Sequence, residues 1–189
     1  GSLCAFNEKN HEKNDFFYSF MSMNRILQSI EYLHSNSFIH RDIKPSNILI
    51  NNDHLPFLAD FDTVRSIDLE TENEDEMTFD FASPIYSSPE QRDHKKEEKR
   101  QVNCSTDVYS FGCLIYYLFE KKDMNEQQFS VTEPAIQQLI INCTKNAEDE
   151  RPKIDSPNKS LNSSIGDLIE ITQTSPNQNC HQDETPNNN

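Results

Sequence analysis

A chain of 189 residues with 34% hydrophobic residues and a mean hydropathy of −0.81 is long enough for one packed domain but too polar for every segment to join its core. Its formal net charge of −15 argues against nucleic acid or an anionic membrane as a partner. The five cysteines (Cys4, Cys104, Cys113, Cys143, Cys180) contain no C-x-x-C pair, so neither a disulfide framework nor a structural metal site is indicated. A reducing cytoplasmic setting is expected, with the nucleus as the alternative. The longest strongly apolar run, Phe111 to Phe119, is too short to span a bilayer, and no leader segment is read. The glycines are Gly1, Gly112 and Gly166, which excludes a glycine-rich phosphate loop within these residues.

Residues 3 to 15 are polar and mixed, without a useful period. From Phe16 the apolar positions Phe16, Phe20, Met23, Ile26, Leu27, Ile30 and Leu33 recur at helical spacing and predict an amphipathic helix capped by Asp15 and fading near His34. The run His40-Arg41-Asp42-Ile43-Lys44-Pro45-Ser46-Asn47 follows a short apolar step, Phe38-Ile39. In it a carboxylate can accept a proton from a hydroxyl, a lysine two residues on can steady a phosphoryl group, and an asparagine can hold a divalent ion. Those roles fit phosphoryl transfer, where catalysis is mostly positioning and charge stabilisation. Ile48 to Ile50 and Pro56 to Ala59 read as a hairpin around the turn Asn51-Asn52-Asp53, which would return Asp60 beside Asn47 as a second oxygen ligand.

Residues 66 to 80 are dense in acids and expected to be an extended loop. Asp107 to Phe119 reads as a helix apolar nearly all round, with Ser105 or Thr106 as its cap and burial on every side. Ala135, Ile136, Leu139, Ile140 and Cys143 mark the face of a last helix starting near Glu133. Beyond Lys153 the chain is rich in Ser, Asn, Pro and Gln, with Ser163 to Thr172 as a weak helix and 173 to 189 as a disordered tail.

Five stretches carry a family resemblance. His40 to Asn47 resembles the catalytic loop of eukaryotic-type protein kinases. Asp60-Phe61-Asp62 resembles the D-F-G motif, with Asp62 where the motif has glycine. Ala82 to Glu90 resembles the segment ending in A-P-E. Asp107-Val108-Tyr109-Ser110-Phe111-Gly112 resembles D-V-x-S-x-G, and the stretch ending Arg151-Pro152 resembles the family's R-P segment. The resemblance implies a mainly α, kinase-like large lobe over residues 1–152, with a short β-hairpin at the catalytic and metal loops. A small lobe is expected to be absent, and the chain alone to be inactive or nearly so.

By the same resemblance Asp42 is the catalytic acceptor, assisted by Lys44 and Ser83. Asn47 and Asp60 hold magnesium, with manganese as an alternative, and together with Leu49 contact ATP. His40, Arg41, Phe61, Glu90, Asp107 and Arg151 are structural or regulatory. Asp107 is expected to bond the backbone near His40 and Arg41, and Glu90 to pair with Arg151. Thr78, Thr71 and Ser66 are candidate phosphoacceptors for an upstream activating kinase, unless the loop's own carboxylates partly replace the phosphate. Ser83 with Lys44 implies serine/threonine specificity toward a protein substrate.

Two other readings remain open. A pseudokinase or scaffold module is favoured by Asp62 and by the shortness of Lys121 to Thr132. A small-molecule phosphotransferase shares the H-x-D-x-x-x-x-N loop, but Arg41, Lys44, the S-P-E segment and Asp107 with Gly112 favour the protein-kinase branch.

Overall fold

The computed structural model describes residues 1–9, 16–67, 84–92, 103–125, 131 and 133–154. The expectations for Asp15, for the acidic stretch 68–80 with Thr71 and Thr78, for Ser83 and for the terminal segment lie outside them.

The helix beginning at Phe16 is α2 (Phe16–Ser35). Its face buries Phe20, Met23, Ile26, Leu27 and Ile30, each contributing roughly 1.5–3 kcal/mol relative to exposure. Phe16, at the helix start, stays 37% exposed. The helix stops at Ser37, which takes a left-handed φ of 61°. The amides of Asn36 and Ser37 donate back to the carbonyls of Leu33 and His34, both at 3.0 Å.

α4 (Cys104–Glu120) is the central helix and is buried on nearly every side from Thr106 to Phe119. Its cap is Asn103, not Ser105 or Thr106: the Asn103 side chain accepts from the Ser105 amide at 2.8 Å. An N-cap lies just outside the helix, and the helix begins a turn earlier than the apolar run suggests because polar Ser105 and Thr106 already belong to it. α5 (Pro134–Cys143) lays Ile136, Leu139, Ile140 and Cys143 against α4. Gly112 makes this approach possible: a Cβ there would lie 2.7 Å from Cys143 Cβ and 2.8 Å from Thr144 Cγ2.

Two small antiparallel sheets flank the helices. β2 (Ile48–Ile50) pairs with β3 (Pro56–Leu58), Ile48 opposite Leu58, as the hairpin pattern predicts. β1 (Phe38–Ile39) pairs with β4 (Arg65–Ser66). The acidic stretch therefore does not begin as loop: Ser66 lies in a ladder opposite Phe38.

Residues 3 to 9 also depart from expectation. They form α1 (Leu3–Lys9), with Leu3 fully buried, Ser2 bridged to Leu49 and the Ile50 amide donating to the Gly1 carbonyl at 2.7 Å. No period marks this helix because only Leu3 and Phe6 carry its apolar contacts, Phe6 stacking on Tyr18 at 5.3 Å, with an edge pairing beside them. A four-residue helix, α3 (Pro89–Arg92), completes the described α-helices, and single turns of 3-10 helix form at Pro45–Asn47, Phe61–Thr63 and Glu148–Glu150. Among the described residues no helix is long and apolar enough to cross a membrane.

Candidate active site

The site is built around a backbone that bends against its preference. Arg41 has φ 70°, left-handed for a residue with a Cβ, at a cost of roughly 1–2 kcal/mol. Side chains from other elements hold it there. Asp107 on α4, completely buried, accepts from the His40 amide through Oδ2 and the Arg41 amide through Oδ1, both at 2.8 Å. Its third donor is His34 Nε2 at the end of α2, also at 2.8 Å. Three N–H donors satisfy a carboxylate whose burial would otherwise be prohibitive.

Arg41 Nε donates to the Thr63 carbonyl at 2.6 Å, and Thr63 Oγ1 returns a bond to the His40 carbonyl at 2.7 Å. Gln91 on α3 donates from Nε2 to the Arg41 carbonyl at 2.8 Å.

These contacts set two histidines apart. Burial works to lower the His34 pKa, but its bonds to Asp107 and Cys104 outweigh this and hold the imidazole at about 9. His40 is driven down by burial, against the pull of Asp107, the Ala59 carbonyl, Asp42 and Asp60. Its Nε2 bonds the Ala59 carbonyl at 3.2 Å while the buried Nδ1 has no hydrogen-bond partner, an arrangement that suits a neutral ring with its proton on Nε2. The ring lies 5.3 Å, centroid to centroid, from Phe61.

Asp42 follows Arg41 and is buried. Its Oδ2 takes Lys44 Nζ at 2.7 Å and Asn47 Nδ2 at 2.9 Å, and the same Asn47 nitrogen also reaches the Asp42 carbonyl at 2.9 Å. Asn47 thus commits its nitrogen to Asp42, leaving Oδ1 as the atom that can meet a cation. The hairpin brings the next segment alongside, the Ala59 amide donating to the Asn47 carbonyl at 2.9 Å. Asp60, exposed and left-handed with φ 66°, follows at once. An amide oxygen and an exposed carboxylate are hard oxygen donors, suited to magnesium that takes its other ligands from water and phosphate. Among the described residues no group of three or more His, Cys, Asp or Glu forms a metal cage.

Whether Asp62 can stand in for the motif's glycine is answered by where the strain falls. Phe61–Thr63 form one turn of 3-10 helix, and the positive φ is taken by Asp60; Asp62 is not among the residues with positive φ. This conformation needs no glycine at position 62.

A third buried acid is Glu90. Glu90 is gripped by Arg151 through two bonds, 2.6 and 2.9 Å, and accepts from Thr106 Oγ1 at 3.1 Å. Arg151 also donates to the carbonyls of Lys145, Ser105 and Asn146. Burial pushes the Glu90 pKa up, but the Arg151 bonds prevail and hold it below the ordinary value.

The structure therefore brings together His40, Arg41, Asp42, Lys44, Asn47, Phe61 and Asp107, and pairs Glu90 with Arg151. Leu49 lies on the outer face of the hairpin, 48% exposed and opposite Phe57. Sequence reasoning missed His34, Thr63 and Gln91. A basic residue closing a helix was a usable signal for His34; Thr63 and Gln91 had none.

A family model described as the protein kinase domain matches residues 8–180. A bifunctional serine/threonine-protein kinase/NEDD4-like E3 ubiquitin-protein ligase of Dictyostelium discoideum is 36% identical over 92 residues, covering 49% of this chain and 5% of that protein. Human 3-phosphoinositide-dependent protein kinase 1 is 37% identical over 93 residues, 49% of this chain and 16% of that protein. The serine/threonine kinase NLK of Caenorhabditis briggsae is 29% identical over 130 residues, 68% of this chain and 18% of that protein. The chain thus spans less than a quarter of each of these three relatives.

Proposed function

Because the chain belongs to the protein kinase family, we propose that it forms the large catalytic lobe of a serine/threonine protein kinase, transferring the γ-phosphoryl group of ATP to a hydroxyl of a protein substrate. The observation that carries this reading is the Asp42 carboxylate, buried yet joined to Lys44 at 2.7 Å and Asn47 at 2.9 Å. Asp42 orients the substrate hydroxyl and accepts its proton as the new P–O bond forms and the bond from the γ-phosphorus to the bridging oxygen breaks, releasing ADP. Lys44, already paired with Asp42, meets the charge that develops on the transferred group. Asn47 and Asp60 would hold magnesium or manganese, and Leu49 would offer an apolar contact to the nucleotide. Bound there, the cation neutralises phosphate oxygens. Ser83 would bond Asp42 and Lys44, and Thr71, Thr78 or Ser66 would receive phosphate from an upstream kinase.

The left-handed Asp60 bears on the competing view of the chain as a scaffold without catalysis. Asp62 favours that view, but in this conformation it lies in a turn of 3-10 helix without a positive φ, which supports the catalytic reading.

The test uses the full-length protein, because residues 1–189 contain no glycine-rich segment to cover the phosphates. With magnesium, ATP and a generic protein substrate, wild type should incorporate phosphate on serine or threonine. Asp42→Asn should lower turnover by about 10²–10⁴-fold while keeping the thermal shift with magnesium and ATP. A wild-type protein that is stabilised by ATP but transfers nothing would favour the binding-module reading. Neither shift nor transfer would sink both.

A further inference from the structure

Asp107 secures the amides of His40 and Arg41, on the near side of the left-handed residue. The peptide on its far side, joining Arg41 to Asp42, carries the carbonyl that Gln91 Nε2 meets at 2.8 Å. That peptide decides where the Asp42 side chain projects, because rotating it turns the Asp42 Cα. A strained backbone persists only where its surroundings over-determine it. Here a carboxylate and an amide do so from two helices, beside the Thr63 contacts to Arg41 Nε and the His40 carbonyl.

The Gln91 side chain cannot exchange its two ends. Its Oε1 accepts from the Ser88 amide at 3.0 Å and from Ser88 Oγ at 3.3 Å. A flipped amide would set its NH2 against the Ser88 N–H and its oxygen against the Arg41 carbonyl, losing both backbone bonds and keeping at most one to Ser88 Oγ. Gln91 is itself buried, 4% exposed, and stands next to Glu90, which Arg151 clamps. The position of α3 is therefore transmitted through one amide to the residue before Asp42.

We propose that Gln91 is a positioning residue for the catalytic loop, fixing the Arg41–Asp42 peptide and through it the Asp42 carboxylate. The kinetic consequence rests on the phosphoryl-transfer reading above; the structural consequence does not. Gln91 bonds Ser88 and Arg41 rather than Asn47 or Asp60, so its loss should slow the chemical step without loosening nucleotide.

Two variants of the full-length protein test this. Gln91→Met keeps length and volume but none of the three bonds; Gln91→Glu keeps an acceptor for Ser88 and replaces the donor by an oxygen facing the Arg41 carbonyl. Hydrogen exchange should speed up at least tenfold in peptides covering 40–44 in both variants, while buried peptides of α2 and α4 stay within twofold of wild type. kcat should fall about 10–100-fold with KM for ATP within twofold. Unchanged exchange at 40–44 would overturn the proposal, as would an increase spread evenly over the chain, which would mark a packing role. A raised KM with unchanged kcat would overturn it too. If wild type transfers no phosphate, the functional reading fails, and the exchange pattern still decides the role of Gln91. Should Gln91→Met fail to fold, Gln91→Glu alone carries the same measurements.

Discussion

Asp107 and Glu90 are both carboxylates shut away from water with a cationic partner, and their remaining bonds differ in kind. Glu90 meets a full counter-charge, Arg151, which lies 61 residues along the chain and is 0% exposed at its side chain. Asp107 meets one cationic partner, His34, whose pKa is held at about 9, and in addition two successive backbone amides. A guanidinium fork ties two distant segments together whatever the fine shape of either. A carboxylate that accepts from successive amides dictates the dihedral angles between them. The first is a clasp for the fold; the second is a mould for the loop that carries Asp42. Damage at one should appear mainly as lost stability, at the other mainly as lost geometry.

The largest effect should come from breaking the clasp on one side. Arg151→Ala leaves Glu90 charged, buried and unpaired, for a loss on the order of 3–5 kcal/mol. Urea unfolding should show it, and removing both partners with Glu90→Gln and Arg151→Met together should recover much of the loss. If the double variant is no more stable than Arg151→Ala, the pair is not a clasp.

Asp107→Asn should cost less, on the order of 3 kcal/mol, because one acceptor oxygen survives where a charged one took three donors. Its signature should be local: amides of 40 and 41 lose hydrogen-exchange protection while residues 148–151 keep theirs. Equal loss at both places would erase the distinction between mould and clasp.

The clasp and the mould also differ in their response to pH. Glu90 has a lowered pKa, so its contribution is present above the ordinary carboxylate value and fades as acid protonates it. His34 has its pKa raised from 6.5 to about 9, so its contribution is complete below about 6.5 and is lost as pH rises through 9. Asp107 and Cys104, both on α4, are the groups that face it. Melting temperatures followed from pH 6.5 to 9.5 should fall by several degrees more in wild type than in His34→Gln, which keeps a donor toward Asp107 but does not titrate. Parallel curves would show that His34 is not the group responsible.

Much of the fold and of the site is legible in the amino-acid sequence. The face of α2 is, because apolar residues every three or four positions leave one way to bury them. The hairpin is, because a polar turn separates two short apolar runs. The Asp107 and Glu90 contacts follow from a resemblance of motifs, since nothing local to either residue announces a partner 61 to 73 positions away. What escapes sequence reasoning shares that property. Gln91 follows an ordinary Ser-Pro-Glu, and its partner is 50 residues upstream. α1 and β4 are held by tertiary contact rather than by their own pattern: Leu3 is buried by the core, and Ser66 is paired by Phe38. The motif's glycine directs attention to Asp62, yet the positive φ falls on Asp60, because sequence alone does not reveal which residue of a turn takes it.

The smallest effect bears on the mould from a distance. Asn103 caps α4 by accepting from the Ser105 amide at 2.8 Å, and Asp107 stands one turn further on. Asn103 Nδ2 also donates to Glu148 at 3.1 Å, so the cap is tied to the segment that carries Arg151. Asn103→Ala frees one amide at the helix start and should cost about 1 kcal/mol. Asn103→Asp keeps the cap oxygen and adds a charge that suits the helix start, but sets a carboxylate against Glu148. If capping is what matters, Asn103→Asp should lie nearer to wild type than Asn103→Ala in chemical unfolding. If the tie to Glu148 matters more, the order should reverse, and the first turn of α4 would then belong to the clasp rather than to the mould.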